Sequence, residues 1–217
     1  MKQFAVIGLG RFGTSVAQEL CRLGHEVLVV DDSMDKINAI ADTVTHAVQC
    51  NATDPEALNL LGLRNFDCVI ISIGSDMQTS ILVTMLCKEL GVNNVVVKSQ
   101  SELHSKILKK LGADKIVFPE RDMAERTAQS LVSDSILDYI ELSPDFSLIE
   151  INAPKSWQGF SLNDLKLPAR YSINVMAIKH SDGSIIVTPR ANDMIEPGDT
   201  LIVIGANDDL DRVGNLK

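Results

Sequence analysis

The residues best suited to chemistry form a glycine-rich loop close to the amino terminus. Residues 8–13 read GLGRFG, a complete GxGxxG motif that follows a short apolar run and precedes apolar residues at helical spacing. Asp31 stands at the end of the next strand-like run. In this context the glycines let backbone N–H groups approach phosphates at a helix amino terminus, and the carboxylate accepts ribose hydroxyls. The series predicts a nucleotide site whose loop residues are Gly8, Gly10, Arg11, Phe12 and Gly13.

Other strand-like runs are expected to place residues at the same crevice, because ligands bind at the carboxyl ends of parallel strands. Asn51 and Ala52 follow the third run, where they would flank an adenine ring. Arg11 adds a cation at the phosphate end, although a solvated surface arginine explains it equally well. The charge of Asp31 disfavours a 2′-phosphate and therefore NADP. The candidates that follow the fourth and fifth runs are Ile73, Gly74, Ser75, Lys98 and Ser99.

Alternating strand-like and helix-like runs up to about residue 118 supply the framework for this crevice. Parallel strands joined by helical crossovers need helices on both faces of the sheet. The pattern therefore predicts an α/β fold class, a Rossmann-type doubly wound parallel sheet of six strands. The predicted strands are Phe4–Ile7, Glu26–Val30, Ala47–Cys50, Cys68–Ile73, Val95–Lys98 and Lys115–Phe118.

The pattern changes at Pro119. Residues 119–142 show helical spacing, which predicts one long helical linker. A small α+β domain is expected to follow, and at about 75 residues it buries a thin core that dimerisation would stabilise. Its predicted strands are Leu148–Asn152, Ile173–Lys179, Ile185–Thr188 and Leu201–Ile204, with short helices at 161–165 and 208–216.

Composition limits the classes of function. The 217 residues carry a formal net charge of −9, and so acidic a surface repels nucleic-acid phosphates. The longest apolar runs are far shorter than a bilayer span, and the first residues pass directly into a strand rather than a secretion signal. We therefore expect a cytoplasmic protein without a nucleic-acid partner, which would serve a membrane process only by docking onto a membrane protein.

Signatures of catalysis or metal binding are weak. The four cysteines lack metal-ligand spacing, which indicates small buried side chains in a reducing compartment. The four histidines are scattered and show no acidic partner in the sequence, so binding is favoured over turnover and we expect no enzyme. Two alternatives stay open. One is an NAD(H)-binding redox sensor or small oxidoreductase; the other is a redox-controlled repressor, which lacks a basic helix-turn-helix segment.

Four segments together carry a family resemblance: FAVIGLGRFG near the start, SIGSDMQTSIL after the fourth strand, KKLGADKIVFPERDMA at the junction, and LIVIG near the end. With them the whole chain resembles the RCK (TrkA-like) family, cytosolic regulators of bacterial potassium channels and transporters, and within it the Ktr branch. The resemblance implies an N-terminal RCK domain over 2–118, a crossover linker over 119–142 and a C-terminal RCK domain over 135–217. It also implies a homodimer that assembles into an octameric ring beneath a membrane-embedded potassium-translocating subunit of the KtrB, KtrD or TrkH type, in support of potassium uptake and osmotic adaptation.

The same resemblance implies that ATP and ADP compete for the Rossmann site, with ATP favouring the conducting state. By position, Arg11 meets the γ-phosphate, and Glu120 helps to hold a divalent cation such as Mg²⁺ with ATP at a contact between subunits. Without the resemblance, Glu120 reads as an acidic residue favoured at a helix start. The other residues implied to line the nucleotide are Asp31, Asp32, Ser33, Asn51, Ala52, Ile73, Gly74, Ser75, Lys98, Ser99, Gln100 and His104.

Cyclic-di-AMP is the second ligand that the resemblance implies, bound across the dimer interface of the C-terminal domain. Leucines stand here where isoleucines are common in the family. An ordinary hydrophobic dimer seam would use most of the same residues. The matching positions are Leu162, Leu165, Arg170, Ile173, Asn174, Val175 and Pro189.

Overall fold

The structure, a computed structural model, describes residues 1–74, 76–132 and 136–216. Contacts divide the chain into two compact units, Met1–Pro119 and Glu120–Lys217. Among the described residues, no helix is both long enough and apolar enough to cross a membrane.

The first unit is a six-stranded parallel sheet in the order β3-β2-β1-β4-β5-β6. This order confirms the predicted doubly wound Rossmann-type sheet. Its strands are β1 (Gln3–Ile7), β2 (Glu26–Asp31), β3 (His46–Gln49), β4 (Cys68–Ile71), β5 (Val95–Lys98) and β6 (Lys115–Val117). Its helices are α1 (Arg11–Arg22), α2 (Met34–Ile40), α3 (Pro55–Leu60), α4 (Met77–Glu89) and α5 (Glu102–Lys110), with short 3₁₀ turns at Ala41–Thr43 and Leu63–Asn65.

Helices cover both faces of this sheet, which is why its central strands are continuous apolar runs. Ile7 and Ile71 pack into the core on one face, and Val6 and Ile70 pack into the core on the other. Each fully buried side chain of this size contributes about 1.5–3 kcal/mol relative to exposure. The chain reverses its winding between β1 and β4, and the crevice outside their carboxyl ends is the expected ligand position.

The second unit is a five-stranded antiparallel sheet in the order β10-β9-β11-β8-β7. Leu201 and Val203 on β11 and Ile149 and Ile151 on β8 supply the centre of its core, with Trp157 packed against them. Its strands are β7 (Ile136–Ser143), β8 (Phe146–Asn152), β9 (Asn174–Lys179), β10 (Ile185–Val187) and β11 (Thr200–Ala206). The helices are α6 (Pro119–Val132), which begins at the last residue of the first unit, α7 (Leu162–Leu165), α8 (Leu167–Tyr171) and α9 (Asn207–Gly214).

The prediction of one helical stretch over 119–142 is wrong in its second half. Helix α6 ends at Val132, and residues 136–143 form strand β7, which pairs with β8 through Ile140 opposite Leu148. Over so few residues, apolar positions four apart, such as Ile136 and Ile140, fit a helical and a strand period alike. Pairing with a later strand decides between them, and that information lies outside the segment.

Candidate functional site

Each glycine of the GLGRFG loop has its own structural reason. Gly8 has a φ of +96°, and a Cβ there would lie 3.1 Å from the backbone of Ser72. A Cβ at Gly13 would lie 2.1 Å from the carbonyl oxygen of Gly8, so only glycine fits where helix α1 meets the loop. At Gly10 a Cβ would meet no protein atom within 4 Å. Packing therefore does not require glycine at this position, whereas close approach of a phosphate would.

The start of helix α1 has features that favour an anion. Gly10 is the N-cap residue, it offers no side chain to cap the helix, and no acidic residue occupies the first turn. The first N–H groups of a helix have no partners within the helix, and its dipole favours negative charge at this end. Arg11 is exposed at the first helical position, where its charge adds to that of the helix terminus.

Asp31 is a buried carboxylate at the end of β2, only 7% exposed. Its Oδ2 accepts from the N–H of Leu9 at 2.6 Å, and its Oδ1 accepts from the N–H of Ser33 at 3.0 Å. The ammonium of Lys36 lies 3.2 Å from both oxygens. Burial raises the pKa of Asp31, but the two N–H groups and the Lys36 ammonium outweigh it and hold the pKa below the usual value. The carboxylate is therefore ionised and tied to the loop.

Lys36 contacts the candidate site through Asp31, and sequence reasoning did not single it out. The only available signal was a lysine five positions after Asp31, on the first turns of the following helix. Its positive charge also changes an expectation, because a 2′-phosphate beside Asp31 would meet an ion pair rather than an isolated negative charge.

The residues that follow β2 and β3 lie at the end of the crevice where the adenosine part of a nucleotide is expected. Asp32 is exposed, and its backbone carbonyl accepts from the side chain of Gln49 at 2.9 Å. The side-chain oxygen of Asn51 accepts from both the N–H and the hydroxyl of Thr53, at 3.0 and 2.8 Å. That oxygen shapes the turn, so the amide NH₂ is the group of Asn51 best suited to a ligand. Ala52 is half-buried and packs against the first core.

The segments that follow β4 and β5 lie side by side. A Cβ at Gly74 would lie 3.4 Å from the Nζ of Lys98, so the lysine side chain reaches across to the neighbouring strand end. Ser99 is buried, and its hydroxyl donates to the carbonyl of Ser101 at 3.0 Å. Ser75, also predicted here, lies outside the described residues.

Two buried polar atoms near this edge lack a hydrogen-bond partner among the described residues. The first is the hydroxyl of Ser72, which follows the apolar strand β4 and lies beside the glycine loop, and which sequence reasoning did not single out. The second is Nε2 of His104, whose Nδ1 accepts from the N–H of Gln100 at 3.4 Å. Burial lowers the pKa of His104, which favours the neutral ring with its proton on Nε2. Unpartnered buried atoms of this kind are candidates for contact with a ligand or with water that accompanies it.

Glu120 lies in the first turn of α6 with an exposed side chain, and it belongs to the second unit. Among the residues that the structure describes, no three His, Cys, Asp or Glu side chains gather as a metal site.

One histidine contradicts the expectation that these residues lack acidic partners. Nδ1 of His180 lies 2.9 Å from Oδ1 of the buried Asp199. This hydrogen bond raises the pKa of His180 above its usual value. Asp199 also accepts from the N–H of Glu196 at 2.8 Å, so the pair holds the turn before β11.

A second candidate site is a cavity of about 340 Å³ in the C-terminal unit. Of the residues predicted for cyclic-di-AMP, Leu162, Asn174, Val175 and Pro189 line it. Leu165 and Ile173 lie in the second core and outside this lining, and the exposed Arg170 is not part of it either. The lining residues that sequence reasoning missed are Asn163, Lys166, Leu167, Pro168 and Ala191.

Backbone strain concentrates around this cavity. Lys166 and Thr188 have φ values of +49° and +61°, and Ser172 has +57°. Lys166 lines the cavity, Thr188 precedes the lining Pro189, and Ser172 lies two residues before Asn174. Non-glycine residues in the left-handed region cost about 1–3 kcal/mol each and cluster at binding sites.

Comparison with known proteins gives the chain a family. Residues 4–119 match the TrkA-N domain, and residues 146–217 match the TrkA-C domain. The chain belongs to the RCK (TrkA-like) family. It is 47% identical to Ktr system potassium uptake protein A of Bacillus subtilis (strain 168) over 214 residues, which is 99% of this chain and 96% of that protein. It is 50% identical to Ktr system potassium uptake protein C of the same organism over 211 residues, 97% of this chain and 95% of that protein.

A solved structure shares the RCK fold. The crystal structure of the GsuK RCK domain aligns with a TM-score of 0.52 and 21% identity, and the alignment covers 98% of this chain and 45% of that one. The relatives are potassium uptake proteins rather than enzymes, which confirms that this member of the RCK family is not an enzyme.

Proposed function

We propose that this chain is a cytoplasmic regulatory subunit that gates a membrane potassium transporter in response to ATP and ADP. The observation that carries the proposal is likeness over nearly the full length, at 47–50% identity, to two Ktr system potassium uptake proteins. In this role it is associated with the membrane only through a potassium-translocating subunit of the KtrB, KtrD or TrkH type. It acts as a homodimer that assembles into an octameric ring.

The residues of the crevice fit an adenosine phosphate. Phosphates would approach Gly10 at the uncapped start of α1, where the backbone leaves room for them. Ribose hydroxyls would donate to Asp31, and adenine would lie beside Ala52. Lys98, close to Gly74, would offer a cation to the phosphates from the other half of the sheet.

A nucleotide shifts the ring between states only if it binds the two states with different affinity. ATP carries one more phosphate than ADP, and that phosphate would engage Arg11 and, through Mg²⁺, Glu120 of a neighbouring subunit. Such a contact exists only in a ring geometry that brings the two residues together. A tenfold difference in affinity per site corresponds to about 1.4 kcal/mol, and several coupled sites add up to a switch.

Replacing Arg11 by alanine is expected to lower the affinity for ATP about tenfold and the affinity for ADP by less than about twofold. The reason is that only ATP has a γ-phosphate, which loses its cationic partner in the variant. Calorimetry with both nucleotides measures this difference. In cells that lack their own potassium uptake and carry a KtrB-type subunit, the same variant is expected to lower potassium uptake.

Arg22→Ala is the matched control, since Arg22 is an exposed arginine in the last turn of the same helix, paired with Glu19. It should leave both affinities and uptake unchanged. An equal loss of affinity for ATP and for ADP in Arg11→Ala would contradict the contact of Arg11 with the γ-phosphate. Tighter binding of NADH than of either nucleotide would favour the alternative, an NAD(H)-responsive sensor.

The strained cavity of the C-terminal unit supports a second ligand, cyclic-di-AMP. Lys166 is the cation of its lining, and it suits one of the ligand's phosphates. Lys166→Met is expected to lower the affinity for cyclic-di-AMP about tenfold, as measured by equilibrium binding. The exposed Lys155, changed in the same way, is the control and should have no effect. Unchanged affinity in Lys166→Met, or no binding by the unaltered protein, would contradict this assignment and favour a plain hydrophobic dimer seam.

A further inference from the structure

The acceptor capacity of Asp31 is already full. A carboxylate offers about four lone-pair positions for hydrogen bonds, two on each oxygen. One position on Oδ2 receives the N–H of Leu9, and one on Oδ1 receives the N–H of Ser33. The ammonium of Lys36, 3.2 Å from each oxygen, takes the remaining position on both.

A ribose with free 2′ and 3′ hydroxyls needs two of these positions, so one of the present donors must leave. The N–H groups of Leu9 and Ser33 belong to the backbone of the glycine loop and of the turn into α2, and neither moves without disturbing the fold. The Lys36 side chain is 49% exposed, so its ammonium regains water as it leaves. Lys36 is the donor that yields.

We propose that Lys36 gates the ribose end of the crevice: its ammonium occupies the acceptor positions of Asp31 that the ribose diol requires, and a nucleoside phosphate binds by displacing it. This inference rests on the proposed nucleotide site and names a residue that determines its selectivity. In the absence of nucleotide, the lysine keeps a 95% buried carboxylate side chain paired, which avoids the cost of an isolated buried charge. The competition lowers affinity for every ribonucleotide by a factor that depends on the diol and not on the phosphates.

The test uses Lys36→Met, which keeps an unbranched side chain only one atom shorter and removes its charge. ADP and 2′,3′-dideoxy-ADP are titrated into the full chain, because the dideoxy analogue needs no acceptor on Asp31. The variant is expected to bind ADP about fivefold more tightly than the unaltered protein does. Its affinity for the dideoxy analogue should stay within about twofold of the affinity that the unaltered protein has for that analogue. The control is Lys109→Met, which should change neither affinity. Lys109 is an exposed lysine in the last turn of α5, at the end of the sheet where the strands begin, opposite the crevice.

Unchanged or weaker ADP binding in Lys36→Met would overturn the gate, since the lysine would then be neutral toward the ribose or would support it. An equal gain for both ligands would overturn it as well, because the effect would not depend on the diol. Lys36→Gln gives a second neutral variant if the methionine impairs folding, and the same outcomes apply. If the unaltered protein binds neither ligand, the nucleotide site itself fails; a failure confined to the variants leaves that site intact and removes only the gate.

Discussion

Replacing Gly13 by alanine should both destabilise the protein and abolish nucleotide binding. The new Cβ would lie 2.1 Å from the carbonyl oxygen of Gly8, which is backbone and cannot rotate away. To relieve this contact, helix α1 must move away from the loop, at an expected cost of about 3 kcal/mol in the free energy of unfolding. Urea denaturation measures that loss, and calorimetry with ADP measures the second effect.

Gly10→Ala is the matched variant, because there a Cβ meets no protein atom within 4 Å. Its backbone, at φ −78° and ψ −179°, suits alanine, so the free energy of unfolding should fall by no more than about 1 kcal/mol for the change of N-cap residue. Affinity for ADP should still fall at least about tenfold, since the methyl group would occupy the path of the phosphates. Wild-type affinity in Gly10→Ala would mean that the phosphates do not approach this loop.

Asp31→Asn is the second change with a large expected effect. The amide NH₂ would face the N–H of either Leu9 or Ser33, so that one of these donors loses its acceptor. An unsatisfied buried donor costs about 1–3 kcal/mol, and the ribose loses its charged acceptor as well. We expect a drop of about 2 kcal/mol in the free energy of unfolding and loss of measurable ADP binding.

Asp32→Asn is the control for stability, because Asp32 is exposed and its hydrogen bond with Gln49 uses the backbone carbonyl. The pH dependence gives a further check. In the folded protein the pKa of Asp31 lies below 3.8, the usual value for an aspartate. The ionised carboxylate therefore contributes its full stabilisation above pH 3.8, and this stabilisation is lost as the pH falls through the pKa of the folded state. Asp31→Asn should therefore flatten this acid limb. An Asp31→Asn variant as stable as Asp32→Asn would contradict the role of Asp31 in holding the loop.

Local chemistry made the first unit predictable from sequence. The apolar runs and the GxGxxG spacing are patterns of a few consecutive residues, and the parallel sheet follows from the alternation of strand-like and helix-like runs. The strand ends shifted slightly: β4 ends at Ile71, so Ser72 and Ile73 leave the sheet and lie against the glycine loop. A run of apolar residues does not reveal where pairing stops.

The features that sequence reasoning missed depend on contacts between distant segments. Strand β7 exists because it pairs with β8, and its own apolar spacing fits a helix equally well. That Leu165 and Ile173 lie in the second core is decided by packing between segments that are distant in the sequence. Lys36 meets Asp31 only because α2 turns back over the end of β2, which a spacing of five residues does not announce.

The most direct test of the account is a calorimetric titration of the purified full-length chain with ADP. An adenosine-phosphate site at the crevice predicts saturable heat with one ADP per chain, and a rise in the melting temperature that follows the occupancy of the site. No heat and no thermal shift with ADP, ATP or NADH would contradict it, and the crevice would then be a Rossmann fold that has kept its glycines without a ligand.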